Sequence, residues 1–336
     1  MKHDRISSLI IITLAVLISS VSCNQVIARP IATIEPTTTP ITPIIPTSIP
    51  TTPITPTATS TITITPTISP RPPTITPIPT NIKLGVDISI RIMPMGDSLT
   101  DGVCDAAENC HAPSVFTPVS GDSSTDFQNK LYACKFNLNR FNPKAVSYRA
   151  FLRDKLVANG LQMTYVGSVE VTKGLAHEGH SAFTVPDLDW CVQNAGWLQK
   201  AQPNMILLHI GTNDVGWGKS PDLIVADLSQ LLTHIYEQLP PTTYVIVAQI
   251  IPVDTQIRDS WVHLPTLMND IIVQYNAKIP ELVERFRSTG MNVSYVDMSD
   301  AIQSDSDLYD GAHPIPAALE RMANNWLVKI LEILKH

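Results

Sequence analysis

Past residue 83 the chain alternates short continuous apolar runs with longer stretches whose apolar residues fall three and four apart. The runs Ile88–Met95, Met163–Gly167, Met205–Ile210, Tyr244–Ile250 and Val293–Met298 are strand candidates. Between them lie amphipathic stripes: Tyr148, Phe151, Leu152 and Leu156, closed by Gly160; Ile224, Leu228, Leu231, Leu232 and Ile235; Tyr275, Ile279, Leu282, Val283 and Phe286, closed by Gly290. A last stripe runs through Leu319, Met322, Ala323, Trp326, Leu327, Ile330 and Leu331. Strands without polar alternation are covered on both faces, and helices between strands imply parallel pairing. The pattern predicts one three-layer α/β/α domain with a mainly parallel sheet of about five strands. Ligands of such sheets sit outside the carboxyl ends of the strands, so the residues just after each strand come under scrutiny.

The first 82 residues follow other patterns. Lys2 and Arg5 precede an apolar run from Leu9 to Ile18, and Ser19, Ser20 and Ser22 lead to Cys23. This reads as a secretory signal over residues 1–23, the run being shorter than the roughly 20 apolar residues of a membrane span. The Cys after Ser20-Val21-Ser22 is similar to a lipoprotein processing site, which would tether the chain to a membrane through Cys23. Residues 24–82 form a Pro/Thr-rich linker: Pro30 to Thr80 holds 14 of the 28 prolines, no aromatic residue, and only Glu35 and Arg71 as charges. Such a segment cannot bury a core and spans at most about 150 Å at about 3.1 Å per residue. The expectation is a domain over 83–336 that is secreted or held at the outer cell surface. Export also permits disulfides. With Cys23 set aside, Cys104, Cys110, Cys134 and Cys191 can pair in three ways; Cys104–Cys110 with Cys134–Cys191 is the expectation carried forward.

Charge narrows the partners. The first 80 residues carry only four of the 23 Lys and Arg and two of the 30 Asp and Glu, leaving 19 against 28, a net charge of -9. A nucleic-acid binder needs a basic face, so the balance argues against that class.

Four segments carry candidate chemistry. Gly96-Asp97-Ser98-Leu99 follows the first strand, where a Ser at a strand-to-helix turn exposes both its hydroxyl and its backbone N–H. By itself this could be a helix cap. Gly211-Thr212-Asn213-Asp214 follows the third strand, and the uncharged amide of Asn213 suits an oxyanion. Asp310-Gly311-Ala312-His313-Pro314 precedes the last helix, and its spacing lets a carboxylate fix the tautomer of its own loop's imidazole. Asp307 is a rival to Asp310. His177-Glu178-Gly179-His180-Ser181-Ala182 offers Gly179 as an unobstructed N–H donor. His177, Glu178 and His180 could instead ligate a metal, but no second ligand cluster has suitable spacing. A glycosidase with Asp97 and Asp214 as paired acids would leave Ser98 and His313 idle.

Together, in this order, the four blocks resemble the SGNH (GDSL-like) hydrolase family, matching it at Ser98, Gly179, Asn213 and His313 across essentially all of residues 90–335. Tyr148-Arg149, Tyr165-Val166-Gly167-Ser168, Glu178-Gly179-His180-Ser181 and Leu208 to Asp214 are most similar to its acetylxylan-esterase branch, carbohydrate-esterase family three; Val296-Asp297-Met298 and Asp310 to Pro314 extend the likeness. The resemblance implies a flavodoxin-like fold and a serine esterase of short, acetyl-type esters on polysaccharide. It implies Ser98, Asp310 and His313 as catalytic residues, with Ser98, Gly179 and Asn213 as the oxyanion hole. No metal or cofactor is implied, and a monomer is expected. Departures are Ala182 in place of a second Gly, which leaves Gly179 and Ala182 as alternative oxyanion donors, Ala318-Leu319 in place of a Gly-Tyr pair, and a Cys-containing insertion from Val103 to Pro143. Other readings are a glycan-binding module without catalysis, displayed on a stalk, and a GDSL-type lipase acting on lipid esters. The chain has no Gly-x-Ser-x-Gly elbow, which sets it apart from the larger α/β-hydrolase lipases.

Overall fold

A computed structural model describes residues 89–102, 124–135, 147–254 and 267–335. The expected signal and linker segments, Cys23 and the expected Cys104–Cys110 pair lie outside the described residues. Among the described residues no helix is long and apolar enough to cross a membrane.

Six strands form one parallel sheet: β1 (Ile90–Gly96), β2 (Met163–Tyr165), β3 (Glu178–Gly179), β4 (Met205–His209), β5 (Tyr244–Ala248) and β6 (Val293–Val296). Their order is β2-β1-β4-β5-β6, with β3 also on β1. The helices are α1 (Ser98–Asp101), α2 (Ser124–Ala133), α3 (Tyr148–Ala158), α4 (Val185–Asn194), α5 (Trp197–Ala201), α6 (Thr212–Gly216), α7 (Pro221–Gln238), α8 (Met268–Ser288) and α9 (Pro316–Leu334). Successive strand residues point to opposite faces. Met93, Met95, Ile206, Leu208, Val245 and Val247 pack with Leu188 of α4, Leu228 of α7 and Tyr275 of α8. Ile92, Met205, Leu207, Ile246 and Val296 pack with Leu152 of α3 and Trp326 of α9. The apolar stripes of the sequence are thus the buried faces of α3, α7, α8 and α9.

The sheet has one strand more than the apolar runs suggest. β3 is two residues long and carries no apolar run; it continues the ladder on β1 through Met95↔Glu178 and Gly96↔Gly179. The second strand is also shorter than expected, ending at Tyr165 instead of Gly167. Pro94 explains both. The Ile92 carbonyl accepts from the Val166 N–H and the Gly96 carbonyl from the His180 N–H, so alternation aims residue 94 at the same side of β1. Proline has no N–H to give there, and the ladder breaks between β2 and β3.

Sulfur cross-links one margin of the domain. Cys134, just after α2, bonds Cys191 in α4, as expected, across a separation of 57 residues. Closing a loop of that length restricts the unfolded chain by about 4 kcal/mol. Replacing both cysteines by alanine is expected to lower the unfolding free energy by up to that amount in denaturant titrations; an unshifted midpoint at constant slope would show that the bridge contributes nothing.

Candidate active site

The strand order reverses between β1 and β4, whose ends lie side by side at Gly96↔His209. That is where an open parallel sheet leaves a crevice. A Cβ on Gly96 would stand 2.0 Å from the His209 carbonyl, so only glycine lets the chain turn there. Asp97 then caps α1, its carboxylate accepting the Leu99 N–H at 3.0 Å. Ser98 is the first helical residue, with its backbone N–H among those a helix start leaves without an intrahelical partner.

The imidazole of His313 reaches Ser98 across 215 residues of sequence. His313 Nε2 lies 2.9 Å from Ser98 Oγ, and His313 Nδ1 lies 2.7 Å from Asp310 Oδ2. The loop that presents the ring is held by its own backbone: Tyr309 N–H donates to the His313 carbonyl, and Asp310 Oδ1 accepts the N–H groups of Ala312 and His313 at 3.0 and 2.8 Å. Burial alone would raise the Asp310 carboxyl; the hydrogen bonds from the His313 ring and from the two backbone donors outweigh it and hold the carboxyl below its ordinary range. The rival, Asp307, is turned elsewhere. It pairs with Arg321 at 2.6 Å and accepts the Gln303 N–H.

Asn213 stands in the first turn of α6, beyond the neighbouring strand. One of its amide hydrogens goes to the Phe183 carbonyl at 2.9 Å, which fixes the side chain and leaves the second N–H to donate. Asp214, beside it, accepts the Val185 N–H and faces Lys219 at 3.3 Å. Burial raises the Asp214 carboxyl to about 6. These bonds tie α6 to the start of α4 and to the loop before it.

Gly179 is engaged within its own loop: its N–H donates to His177 Nδ1 at 2.9 Å. Glycine is needed there for packing: a Cβ would stand 2.4 Å from the Asp101 backbone nitrogen of α1, the helix that Ser98 opens. Ala182, three residues on, has a left-handed φ of 66°, is exposed, and its N–H has no hydrogen-bond partner among the described residues. The neighbouring histidines are also engaged. Burial and the nearby Arg149 cation push His177 well below its ordinary range, so the ring is neutral and, with Nδ1 accepting, carries its proton on Nε2. His180 lies between Phe183 and Trp197 at 4.9 and 4.8 Å, with Nε2 3.2 Å from Glu178.

A family model for GDSL-like lipases/acylhydrolases matches residues 92–326, which takes in the Ser98 turn, the Asn213 turn and the His313 loop. The chain belongs to the GDSL-like lipase/acylhydrolase family. Among curated proteins, one named as a multidomain esterase from Ruminococcus flavefaciens is 28% identical over 258 residues, covering 74% of this chain and 29% of that protein. The chain spans less than two thirds of the length of the curated relatives it matches. Among solved structures, a family 3 carbohydrate esterase from Clostridium thermocellum is 25% identical with a TM-score of 0.52, covering 74% of this chain and 98% of that one. A carbohydrate esterase family 3 structure from Talaromyces cellulolyticus, 22% identical with a TM-score of 0.50 over 73% of this chain and 98% of that one, shares the fold.

In this GDSL-like domain the placement of Asp97 has no counterpart in the sequence pattern. Its Oδ2 is buried without a hydrogen bond of regular geometry, and the Thr212 hydroxyl beside it offsets only part of the cost of that burial. Burial, partly offset by the Leu99 N–H and by His313, raises the carboxyl from 3.8 to about 7. A native pKa above the unfolded one means that the folded state holds the extra proton between those values. The stability this carboxyl contributes is therefore fully present below about pH 4 and is lost as pH rises to about 7. Asp97→Asn keeps an acceptor for Leu99 without the buried charge. It is expected to stabilise the protein at pH 8 by up to about 4 kcal/mol and to leave it little changed at pH 4. Equal effects at both pH values in denaturant titrations would contradict the assignment.

Proposed function

We propose that the protein is a secreted or surface-anchored serine esterase that removes acetyl groups from polysaccharide. The hydrogen-bonded chain Ser98 Oγ, His313 Nε2, His313 Nδ1, Asp310 Oδ2 carries this reading. Asp310 accepts a hydrogen bond from Nδ1–H, which leaves Nε2 as the lone-pair acceptor facing the hydroxyl. As Ser98 Oγ attacks the ester carbonyl, its proton passes to Nε2, and Asp310 stabilises the imidazolium. The tetrahedral oxyanion receives the Ser98 backbone N–H, the second amide hydrogen of Asn213 and, in place of Gly179, the Ala182 N–H. Collapse expels the sugar alkoxide, which takes the proton from His313. Water, deprotonated by the same ring, then attacks the acyl-serine, and acetate leaves as Ser98 Oγ takes that proton back from His313.

The likeness to a family 3 carbohydrate esterase and to a multidomain esterase supports the substrate class. A signal segment and a Thr/Pro stalk suit an enzyme working on an insoluble polymer outside the cell. Release of acetate from acetylated xylan, compared with other acetylated glycans and simple lipid esters, tests the reading. The expected result is turnover of the acetylated glycan and of a small chromogenic acetyl ester. Preference for long-chain lipid esters would move the assignment to a lipase.

A further inference from the structure

Between the nucleophile's helix and the loop before α4 lies a buried polar clamp with no part in proton transfer. At its centre is Arg149, only 4% exposed, in the first turn of α3. Its Nε donates to the Thr100 carbonyl at 2.8 Å and to Ser147 Oγ at 2.9 Å, and its Nη2 donates to the Asp101 carbonyl at 2.9 Å. Its Nη1 donates to the Leu175 carbonyl, on the segment that leads into β3. Thr100 and Asp101 end α1, where a helix leaves its last carbonyls without partners. The guanidinium therefore closes the far end of the four-residue helix that starts with Ser98. Asp101 adds a second tie: its buried carboxylate accepts the Ser181 hydroxyl at 2.9 Å, next to Ala182.

We propose that Arg149 is a positioning residue for the ester chemistry at Ser98, holding α1 and the segment 175–182 in one register so that the nucleophile and the loop's oxyanion donor stay aligned. The inference rests on the Ser98 reading above. The chemistry requires arginine specifically. Four acceptors on three chain segments are met by one rigid, planar fork, whereas a lysine ammonium presents its donors from a single atom. A four-residue helix is too short to hold its own direction, so its orientation must come from outside. Displacements near 1 Å at a reacting centre cost about 100-fold in rate.

The test measures kcat and KM on a small soluble acetyl ester for Arg149→Lys and Ser181→Ala, normalised to sites titrated with a serine-directed phosphonate. Normalisation separates positioning from folding, because a purely structural defect lowers the number of titratable sites and leaves turnover per site unchanged. The expected result is a loss of about 10- to 100-fold in kcat per titrated site for Arg149→Lys, a smaller loss for Ser181→Ala, and little change in KM. Should Arg149→Lys fail to fold, Ser181→Ala, which removes one hydroxyl, decides alone. Wild-type turnover per titrated site in Ser181→Ala and in whatever Arg149→Lys folds overturns the proposal. A wild-type protein that takes up no phosphonate overturns the Ser98 reading and the positioning role with it, a failure distinct from that of the clamp alone.

Discussion

Ser98→Ala is expected to lower kcat on a chromogenic acetyl ester by about 10⁵- to 10⁶-fold, the size of effect seen when the nucleophile is removed from a serine-hydrolase triad. The residue is half-buried at the start of α1, and its hydroxyl contacts His313 Nε2 at 2.9 Å. Alanine removes that hydroxyl while preserving helix propensity, and the cap from Asp97 to Leu99 does not involve the Ser98 side chain. Circular dichroism and denaturant midpoints should therefore match the unaltered protein. What remains active is the oxyanion site, which acts on water attack alone and should leave a faint residual rate. Turnover near the wild-type level, in protein purified free of other esterases, would end the assignment of Ser98 as nucleophile.

Asp310→Asn is expected to cost about 10⁴-fold in kcat with the fold intact, a loss that comes from proton placement. The asparagine carbonyl can still accept the Ala312 and His313 N–H groups that Asp310 Oδ1 holds at 3.0 and 2.8 Å. Its amide, however, would then face His313 Nδ1, where Asp310 Oδ2 stands at 2.7 Å. An NH₂ group donates, so Nδ1 must accept, and the ring proton moves to Nε2. That tautomer points a hydrogen at Ser98 Oγ and cannot take its proton. Kinetics would show kcat falling with KM held, while Asp307→Asn, at the Arg321 pair, should leave kcat unaffected. Equal losses from the two substitutions would mean that the loop's charge, and not the tautomer, is what matters.

Much of this site could be read from residue order alone. Ser98, Asn213 and His313 each sit just beyond a strand or just before a helix, positions that an open parallel sheet turns toward a common crevice, and the order of the blocks carried the family likeness. The apolar stripes from Leu152 to Ile330 identified four buried helix faces because a 3.6-residue period leaves a one-dimensional trace. Other features leave none. β3 is two residues long and polar in sequence, and β2 ends early because of Pro94 in a different strand. The commitment of Gly179 to His177 depends on where a neighbouring ring points. The unpaired oxygen of Asp97 depends on what packs over it.

The sequence by itself determined the layered parallel fold, Ser98, His313 and Asn213 as the candidate chemistry, and the Cys134–Cys191 pair as one of three possibilities, since each follows from local periodicity, residue chemistry or counting. Only the tertiary structure decided that His313 touches Ser98 from 215 residues away, that Asp310 and not Asp307 meets its ring, that the Gly179 N–H meets His177, and that Arg149 binds the carbonyls that end α1. Hydrogen bonds have strict distances and directions, and a directional contact between distant segments exists only after the sheet has brought them together.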